Sequence, residues 1–144
     1  MKVKIVNKGR YGLPVYKHQG DAGCDLYANI ENDITLRPLE RCIIPTGIFV
    51  AVPEGYEMQV RPRSGLAIKN GVTVLNTPGT VDAGFRNQVG VILINLSNDV
   101  FVVHPGDRIA QAVFAKHEVA EWEEVEVLDD TERGQSGFGS SGIK

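Results

Sequence analysis

The feature that most constrains the fold of this chain is a series of short apolar segments, each shorter than an ordinary helix. These segments are rich in Val, Ile and Phe and cover residues 3–6, 42–45, 47–52, 58–61, 72–75, 89–95, 100–104 and 110–114. Turn residues separate them at Pro53-Glu54-Gly55, Asn70-Gly71, Pro78-Gly79, Asn98-Asp99 and Pro105-Gly106. Many short strands with such breaks are typical of sandwiches and closed barrels, so the pattern predicts an all-β jelly roll.

One short helix is expected within this β pattern. Residues 64–69 contain Leu66, Ala67 and Ile68, with Ser64 placed to cap the first turn and Asn70-Gly71 placed to end the helix. The helix would have only one or two turns.

Composition indicates one domain outside the membrane. The chain has 144 residues, and 42% of them are hydrophobic, which suffices for one sizeable core. No apolar run is long enough to cross a membrane, and the N-terminus lacks the apolar stretch of a signal peptide. We therefore expect a cytoplasmic protein without a membrane partner. Cys24 and Cys42 lack metal-site spacing, and reduced thiols are favoured over a disulfide.

The charge pattern argues against nucleic acid as a partner. A formal charge of −3 gives no general attraction to a long polyanion, which needs many clustered cations. A small anionic ligand remains possible, because local clusters matter more than the total charge. The candidate cations lie within two residues of glycine, proline or aspartate, at Arg61, Arg63, Arg86, Arg108 and Arg133.

The end of the chain differs from the rest. Residues 118–130 are strongly acidic with interspersed apolar residues, which suggests a solvated face, and the alternation at 125–127 predicts a half-exposed strand. Beyond Thr131 the sequence becomes glycine-rich. We therefore divide the chain into a β-barrel domain, residues 1–130, and a flexible C-terminal arm, residues 131–144.

Three blocks of sequence carry candidate chemistry. In the tail, four glycines and three serines surround Arg133 and Phe138 and could supply phosphate-binding N–H groups, although disorder is the plainer interpretation. Residues 61–67 place a guanidinium, a hydroxyl and a glycine at the start of the candidate helix, a pattern that favours an anion or simply a capped helix. Residues 76–86 are typical of a hairpin, in which Asp82 could be a functional carboxylate or a turn former.

Two further blocks are weaker signals alone. Asp21 and Asp25 could bind a hard cation or belong to a loop. Asp107 and Arg108, which precede Gln111, could form an ordinary surface ion pair.

In order and spacing, the five blocks resemble the five motifs of the dUTPase family, and they extend from Asp21 to Gly142. The resemblance implies a jelly-roll enzyme that hydrolyses dUTP to dUMP and pyrophosphate by in-line attack of water on the α-phosphate. Such an enzyme limits uracil incorporation into DNA and supplies dUMP for dTMP synthesis.

The resemblance also implies a role for individual residues. Asp82 would orient and deprotonate the water, Asp25 would hold Mg²⁺ through a bound water, and Asp107 with Arg108 would give structural support. The phosphates would be bound by Arg63, Ser64, Gly65, Gln111, Arg133 and Ser140. Uracil and deoxyribose would be bound by Asn76, Gly79, Val81, Phe85, Phe138 and Gly139.

Some positions depart from the commonest family pattern. Phe85 replaces the usual tyrosine, Asn87 an often present glycine, and Ser141 a frequent threonine. Stacking on the sugar survives the change at Phe85, but one polar contact is lost.

The resemblance further implies a homotrimer in which the arm of one chain closes over a site on another. Three alternatives remain open: a dCTP deaminase of the same fold, a non-catalytic nucleotide-binding regulatory barrel, and an oligonucleotide-binding barrel. The last is disfavoured by the acidic charge and the 7% aromatic content, which make a poor stacking platform.

Overall fold

The computed structural model describes residues 1–138 and residue 141, and these residues form eleven strands and one short helix. The strands are β1 (Lys4–Asn7), β2 (Gly23–Tyr27), β3 (Ile34–Leu36), β4 (Arg41–Pro45), β5 (Ile48–Ala51), β6 (Tyr56–Arg61), β7 (Val72–Val74), β8 (Gly79–Val81), β9 (Gly90–Asn95), β10 (Phe101–Val103) and β11 (Arg108–Lys116). The helix is α1 (Ser64–Asn70). The predicted all-β, jelly-roll-like class with one short helix is confirmed.

Every apolar segment predicted from the sequence overlaps a strand, but β2, β3 and β8 were not predicted. β3 and β8 have only three residues each, and β2 carries a carboxylate at its centre. Such segments have little apolar pattern of their own. They become strands because neighbouring strands supply their hydrogen-bond partners.

The strands pair antiparallel in four groups. A four-stranded sheet has the order β2-β11-β6-β8, and a three-stranded sheet has the order β4-β9-β7. Two smaller pairs, β1-β5 and β10-β3, complete the architecture. Side chains such as Leu26, Ile44, Met58 and Leu93 are almost fully buried and form one core cluster. The opposite faces of the same strands remain available for a site.

One buried polar side chain ties the strand ends together. Asn95, at the end of β9, is fully buried, and its Nδ2 donates to the Leu36 carbonyl at 2.9 Å and the Asp99 carbonyl at 2.8 Å. Its Oδ1 accepts a hydrogen bond from the Ser97 N–H at 2.9 Å. The amide thus joins β3, β9 and the turn before β10 with its polar atoms satisfied.

The short helix lies where the sequence predicted it, but its N-terminal cap differs. Arg63 is the N-cap residue and makes no side-chain capping bond, so the expectation that Ser64 caps the helix is wrong. Ser64 has helical geometry and is the first residue of α1. The end is as predicted, since Gly71 adopts a left-handed φ of 62° and its N–H donates to the Ala67 carbonyl.

After β11, the described residues contain neither helix nor strand and are exposed. The strand expected at 125–127 is therefore wrong, because alternation produces a strand only where another strand offers hydrogen bonds. The expected solvated face is consistent with this exposure. The division at residue 130 and the flexibility of the arm stay predictions.

Both cysteines are free thiols, as expected. Burial raises the pKa of Cys24 and of Cys42, which keeps both sulfurs protonated at neutral pH. Among the residues that the structure describes, no helix has the length and apolarity needed to cross a membrane.

Candidate active site

Strand β11 is the frame of the candidate site. Its residue Gln111 lies opposite Asp25 on β2 and opposite Arg61 on β6. Directly opposed residues project from the same face of a sheet, with Cβ atoms about 4.5–5.5 Å apart. Ala110 and Ala112, on either side of Gln111, are buried in the core. The register therefore gathers the three polar side chains on the outer face.

A β-bulge brings a fourth side chain to the same place. The pairing of β11 with β2 shifts between Arg108 and Ala110, and Ile109 and Ala110 are both buried in succession. In a regular strand, residues three positions apart face opposite sides of the sheet. The bulge removes this alternation, so that Arg108 and Gln111 both reach the outer face.

Asp25 links two arginines of this face. Its Oδ1 lies 2.9 Å from the Nε of Arg63, and its Oδ2 lies 3.2 Å from NH1 of Arg108. Arg63 also donates from NH1 to the Arg108 carbonyl at 3.0 Å. The Asp25 side chain is only 20% exposed, so water screens these ion pairs less than it would on an open surface. The two guanidinium groups are thus oriented before any ligand arrives.

Gln111 is positioned by the absence of a side chain at Gly23. Its Nε2 donates to the Pro62 carbonyl at 3.0 Å, just before α1 begins. A Cβ added at Gly23 would lie 2.2 Å from the Gln111 Oε1, which is well inside van der Waals contact. Gly23 therefore leaves the space through which the amide passes, and no positive φ requires a glycine there.

These side chains line a polar cleft of about 440 Å³. The polar cleft is lined by Val15, Lys17, His18, Asp21, Ala22, Gly23, Asp25, Arg61, Arg63, Ser64, Gly65, Arg108, Gln111 and Val113. Five residues predicted from the sequence thus come together, namely Asp25, Arg63, Ser64, Gly65 and Gln111. The first N–H groups of α1 have no acceptor within the helix, and several cations lie near them. Such a cleft suits a compact polyanion.

Two polar lining residues were not predicted. Lys17 and His18 belong to the loop before β2, and nothing in their sequence context distinguishes them from solvated surface residues. Only the path of the loop beside β2 and β11 brings them to the cleft.

The segment that was predicted to bind the base, residues 76–86, lies apart from the lining of the polar cleft. Its strand β8 pairs with β6 in the register Met58↔Val81 and Val60↔Gly79. The hairpin expected over residues 76–86 is therefore wrong. The residues after the turn diverge instead, since Val89 donates its N–H to the Ile48 carbonyl of β5.

The side chains of this segment differ in exposure. Val81 is 7% exposed, so only its backbone can meet a ligand, and Gly79 is also buried. Asn76, Asp82 and Phe85 are exposed. The Phe85 N–H donates to the Asp82 carbonyl at 3.1 Å and closes a turn that presents the carboxylate and the ring.

Within one chain, the predicted site residues that the structure describes therefore lie in separate groups and do not form a single site. Within the described part of the chain, residues 76–86 contribute nothing to the lining of the polar cleft. Arg133 and Phe138 are also exposed, and Arg133 donates from Nε to the Ser136 carbonyl at 3.1 Å. Gly139 and Ser140, two further predicted residues, lie outside the described residues.

The chemistry of the cleft limits how a metal could be bound. Residues 1–138 and 141 contain no cluster of three His, Cys, Asp or Glu that could hold an ion by themselves. Both oxygens of Asp25 are engaged by arginines. The donor set fits Mg²⁺ that is bound mainly by substrate phosphates and retained waters, with Asp25 reaching its water shell.

The Gly23 geometry yields a prediction. Gly23→Ala should fold, because the clashing atom is the end of a flexible side chain, but the Gln111 amide should leave the Pro62 carbonyl. The loss of one hydrogen bond should lower the free energy of unfolding by roughly 0.5–1.5 kcal/mol. A crystal structure of the variant and denaturant unfolding measure both effects.

Gly12→Ala is the matched control, since a Cβ there meets no atom within 4 Å. An unchanged Gln111–Pro62 hydrogen bond in the Gly23→Ala structure would contradict the assigned role of Gly23.

Comparisons with known proteins agree with this geometry. A family model described as dUTPase matches residues 10–142. Two relatives named deoxyuridine 5'-triphosphate nucleotidohydrolase, from Finegoldia magna and Fusobacterium nucleatum, are 53% and 55% identical to this chain over 142 residues. The alignments cover 99% of this chain and 99% and 97% of the two relatives.

A solved structure shows the same fold. The Staphylococcus bacteriophage 80alpha dUTPase, solved with dUpNHpp, matches with a TM-score of 0.88 and 26% identity, and 99% of each chain is covered. Since the family model spans most of the chain and the curated relatives are more than half identical over almost its full length, the chain belongs to the dUTPase family.

Proposed function

We propose that this chain hydrolyses dUTP to dUMP and pyrophosphate by in-line attack of water on the α-phosphate. The observation that carries the proposal is the polar cleft, in which the β2-β11-β6 register gathers Asp25, Arg61 and Gln111, and in which Asp25 also pairs with Arg63. The names of the relatives agree with this reaction, as does the dUTP analogue in the phage structure. The dCTP deaminase alternative has no comparable support.

In this proposal the polar cleft binds the phosphates. Arg63, Ser64 and Gly65 act from the start of α1, and Gln111 acts from β11. Hydrogen bonds between charged groups contribute about 1.5–3 kcal/mol each, so a few of them account for tight binding of a triphosphate. Because phosphoryl transfer needs mainly positioning and charge neutralisation, fixed cations are the main requirement.

Mg²⁺ is part of the proposal as a cofactor held chiefly by the nucleotide. Asp25 is the residue of this chain that would contact its water shell. When bound, the ion neutralises phosphate charge. Arg63 and Arg108, which hold Asp25 from both sides, keep that carboxylate directed into the cleft.

The base and sugar are assigned to residues 76–86. Asn76 and the backbone of Gly79 and Val81 would present donors and acceptors to uracil, while Phe85 lies against the deoxyribose. A buried unpaired polar group costs about 1–3 kcal/mol, so a backbone matched to uracil rejects cytosine. We propose that the Phe85 ring lies where a ribose 2′-hydroxyl would project, and that close packing around the bound base excludes the methyl group of thymine.

We assign the attacking water to Asp82. Its carboxylate stands exposed at the end of β8, within the turn that also presents Phe85. An ionised carboxylate accepts hydrogen bonds only, which suits a group that orients a water and takes its proton. Asp82 does not line the polar cleft of its own chain, so we propose that a second chain brings it to the phosphates.

The active site is therefore proposed to lie between subunits of a homotrimer. One chain would supply the polar cleft, another the segment 76–86, and the arm would close the site with Arg133, Phe138, Gly139 and Ser140. This arrangement explains why residues needed by one reaction lie on different surfaces of one chain.

Exposure along the C-terminal segment supports an exchange between chains. Val119, Trp122, Val127 and Leu128 are each at least 80% exposed, which is unusual for side chains of this size. Their segment, residues 118–130, carries seven carboxylates and no lysine or arginine. Strand β1 pairs only with β5 among the described residues. Lys4 is its first residue, and Lys2 and Lys8 flank it. We propose that this acidic segment packs beside β1 of a neighbouring copy.

The setting is proposed to be the cytoplasm, where free thiols such as Cys24 and Cys42 persist. There the enzyme would limit uracil incorporation into DNA and supply dUMP for dTMP synthesis. Nucleic acid and membranes are not proposed as partners.

The reaction is tested by measuring pyrophosphate release. We expect release from dUTP, stimulation by Mg²⁺, and rates for dCTP, dTTP and UTP lower by at least about tenfold, the effect of one unpaired polar group. Comparable hydrolysis of all four nucleotides would contradict the assignment. Ammonia release from dCTP would instead identify a deaminase.

The role of Asp82 is tested by Asp82→Asn. This variant keeps the shape of the turn, so it should fold and bind dUTP, while kcat should fall about 10²–10⁴-fold because a positioned base contributes this much. Asp99→Asn is a control, since Asp99 lies in another turn and offers its backbone carbonyl to Asn95. Near-normal turnover of Asp82→Asn would exclude Asp82 as the base.

The role of the arm is tested with a chain that ends at Thr131. It should fold and remain trimeric in sedimentation, because the acidic segment is retained, but its kcat/KM for dUTP should fall by at least about tenfold as charged hydrogen bonds are lost. Full activity of the shortened chain would refute closure by the arm, and monomers of the full chain at assay concentration would refute the shared site.

A further inference from the structure

Part of the lining of the polar cleft consists of residues to which no role has been assigned so far. One wall consists of α1 and β11, with Ser64, Gly65 and Gln111. The other is the loop before β2, which contributes Lys17 and His18. Four side-chain cations line the cleft against two carboxylates, and Lys17 is the only one of these cations that comes from the loop.

The loop contacts the barrel before Lys17 and closes a local turn after it. On one side, Tyr16 contacts the Cys24 side chain of β2, and burial together with this contact raises the pKa of Tyr16. On the other side, the His18 N–H donates to the Asp21 Oδ2 at 2.8 Å, and the Asp21 N–H donates to the His18 carbonyl at 3.2 Å. The backbone of Lys17 is therefore held at the cleft while its long side chain stays exposed.

The other cations of the cleft already have protein partners. Arg63 and Arg108 bind Asp25, and Arg61 donates from Nε to the Gln59 Oε1 at 2.8 Å. Over residues 1–138 and 141, Lys17 makes no side-chain hydrogen bond or ion pair. An ammonium group is a compact charge with three donors that can follow a flexible anion. Among the residues that the structure describes, Lys17 is thus the cation of the cleft whose hydrogen-bond donors are all unused.

We propose that Lys17 binds the phosphate chain of the nucleotide from the loop wall, opposite Ser64 and Gln111. The proposal rests on the proposed function, in which the cleft takes the triphosphate, and it adds a binding residue outside the five motif blocks. Its ammonium group adds positive charge to a cleft in which Arg63 is already paired with Asp25 and only partly compensates the charge of the phosphates.

The test measures binding of tripolyphosphate by calorimetry together with KM and kcat for dUTP, using the full chain. Lys17→Gln should weaken tripolyphosphate binding roughly three- to tenfold and raise KM by a similar factor, while kcat stays within about twofold. Lys17→Arg should retain most of the affinity, because it keeps the charge.

Lys69→Gln is the matched control. It removes the same charge from the last turn of α1, at a residue that does not line the cleft. A change of net charge alone would weaken binding by both variants, so a clearly larger loss for Lys17→Gln, restored by Lys17→Arg, indicates an interaction at the cleft. Equal affinities of the two variants, or no tripolyphosphate binding by the unmodified chain, would overturn the proposal.

The two proposals fail in different ways. If the unmodified chain releases no pyrophosphate from dUTP but binds tripolyphosphate in a Lys17-dependent manner, the proposed reaction is wrong and the binding role of Lys17 stands. If dUTP is hydrolysed and Lys17→Gln behaves like Lys69→Gln, only the role of Lys17 is wrong.

Discussion

The register of β11 between β2 and β6 is the constraint on which the site depends. It places Gln111 beside Asp25 and Arg61 while Ala110 and Ala112 face the core. A slip of one residue would turn the Gln111 amide inward, where an unpaired polar group costs about 1–3 kcal/mol, and would expose the alanines. Core packing and site geometry therefore select the same register. The bulge at Ile109 then adds Arg108 without disturbing the buried face.

Within that frame, charge is organised before a ligand binds. Asp25 holds Arg63 and Arg108 in fixed orientations, and Gly23 leaves room for the Gln111 amide to reach Pro62. Groups that are already oriented lose little conformational freedom on binding, so more of their interaction energy appears as affinity. The same carboxylate would also shape the binding of the proposed Mg²⁺, because a carboxylate engaged twice suits an outer contact to the ion better than direct ligation.

The separation of Asp82 and Phe85 from the polar cleft bears on how a complete site is assembled. Strand β8 follows β6 at the edge of the four-stranded sheet, whereas β2 and β11 lie on the other side of β6. Within one chain, and over the residues that the structure describes, Asp82 and Phe85 do not line the polar cleft. The proposed homotrimer would bring the two groups together with the barrel unchanged, and it would give the exposed apolar side chains of residues 119–128 a surface to cover.

The sequence by itself determined the class of fold, the place of the one helix and the identity of most candidate site residues. Hydrophobic pattern and turn residues are local properties, and the motif blocks are read in order along the chain. Only the tertiary structure decided which of these residues meet. Strands β2, β3 and β8 exist because of their neighbours, the alternation at 125–127 found no partner within the chain, and Ser64 enters the helix instead of capping it. The tertiary structure also decided three features of the site. They are the bulge that turns Arg108 to the outer face, the space at Gly23 and the loop that brings Lys17 to the cleft. Each results from hydrogen bonds and packing between segments far apart in sequence, which no local pattern encodes.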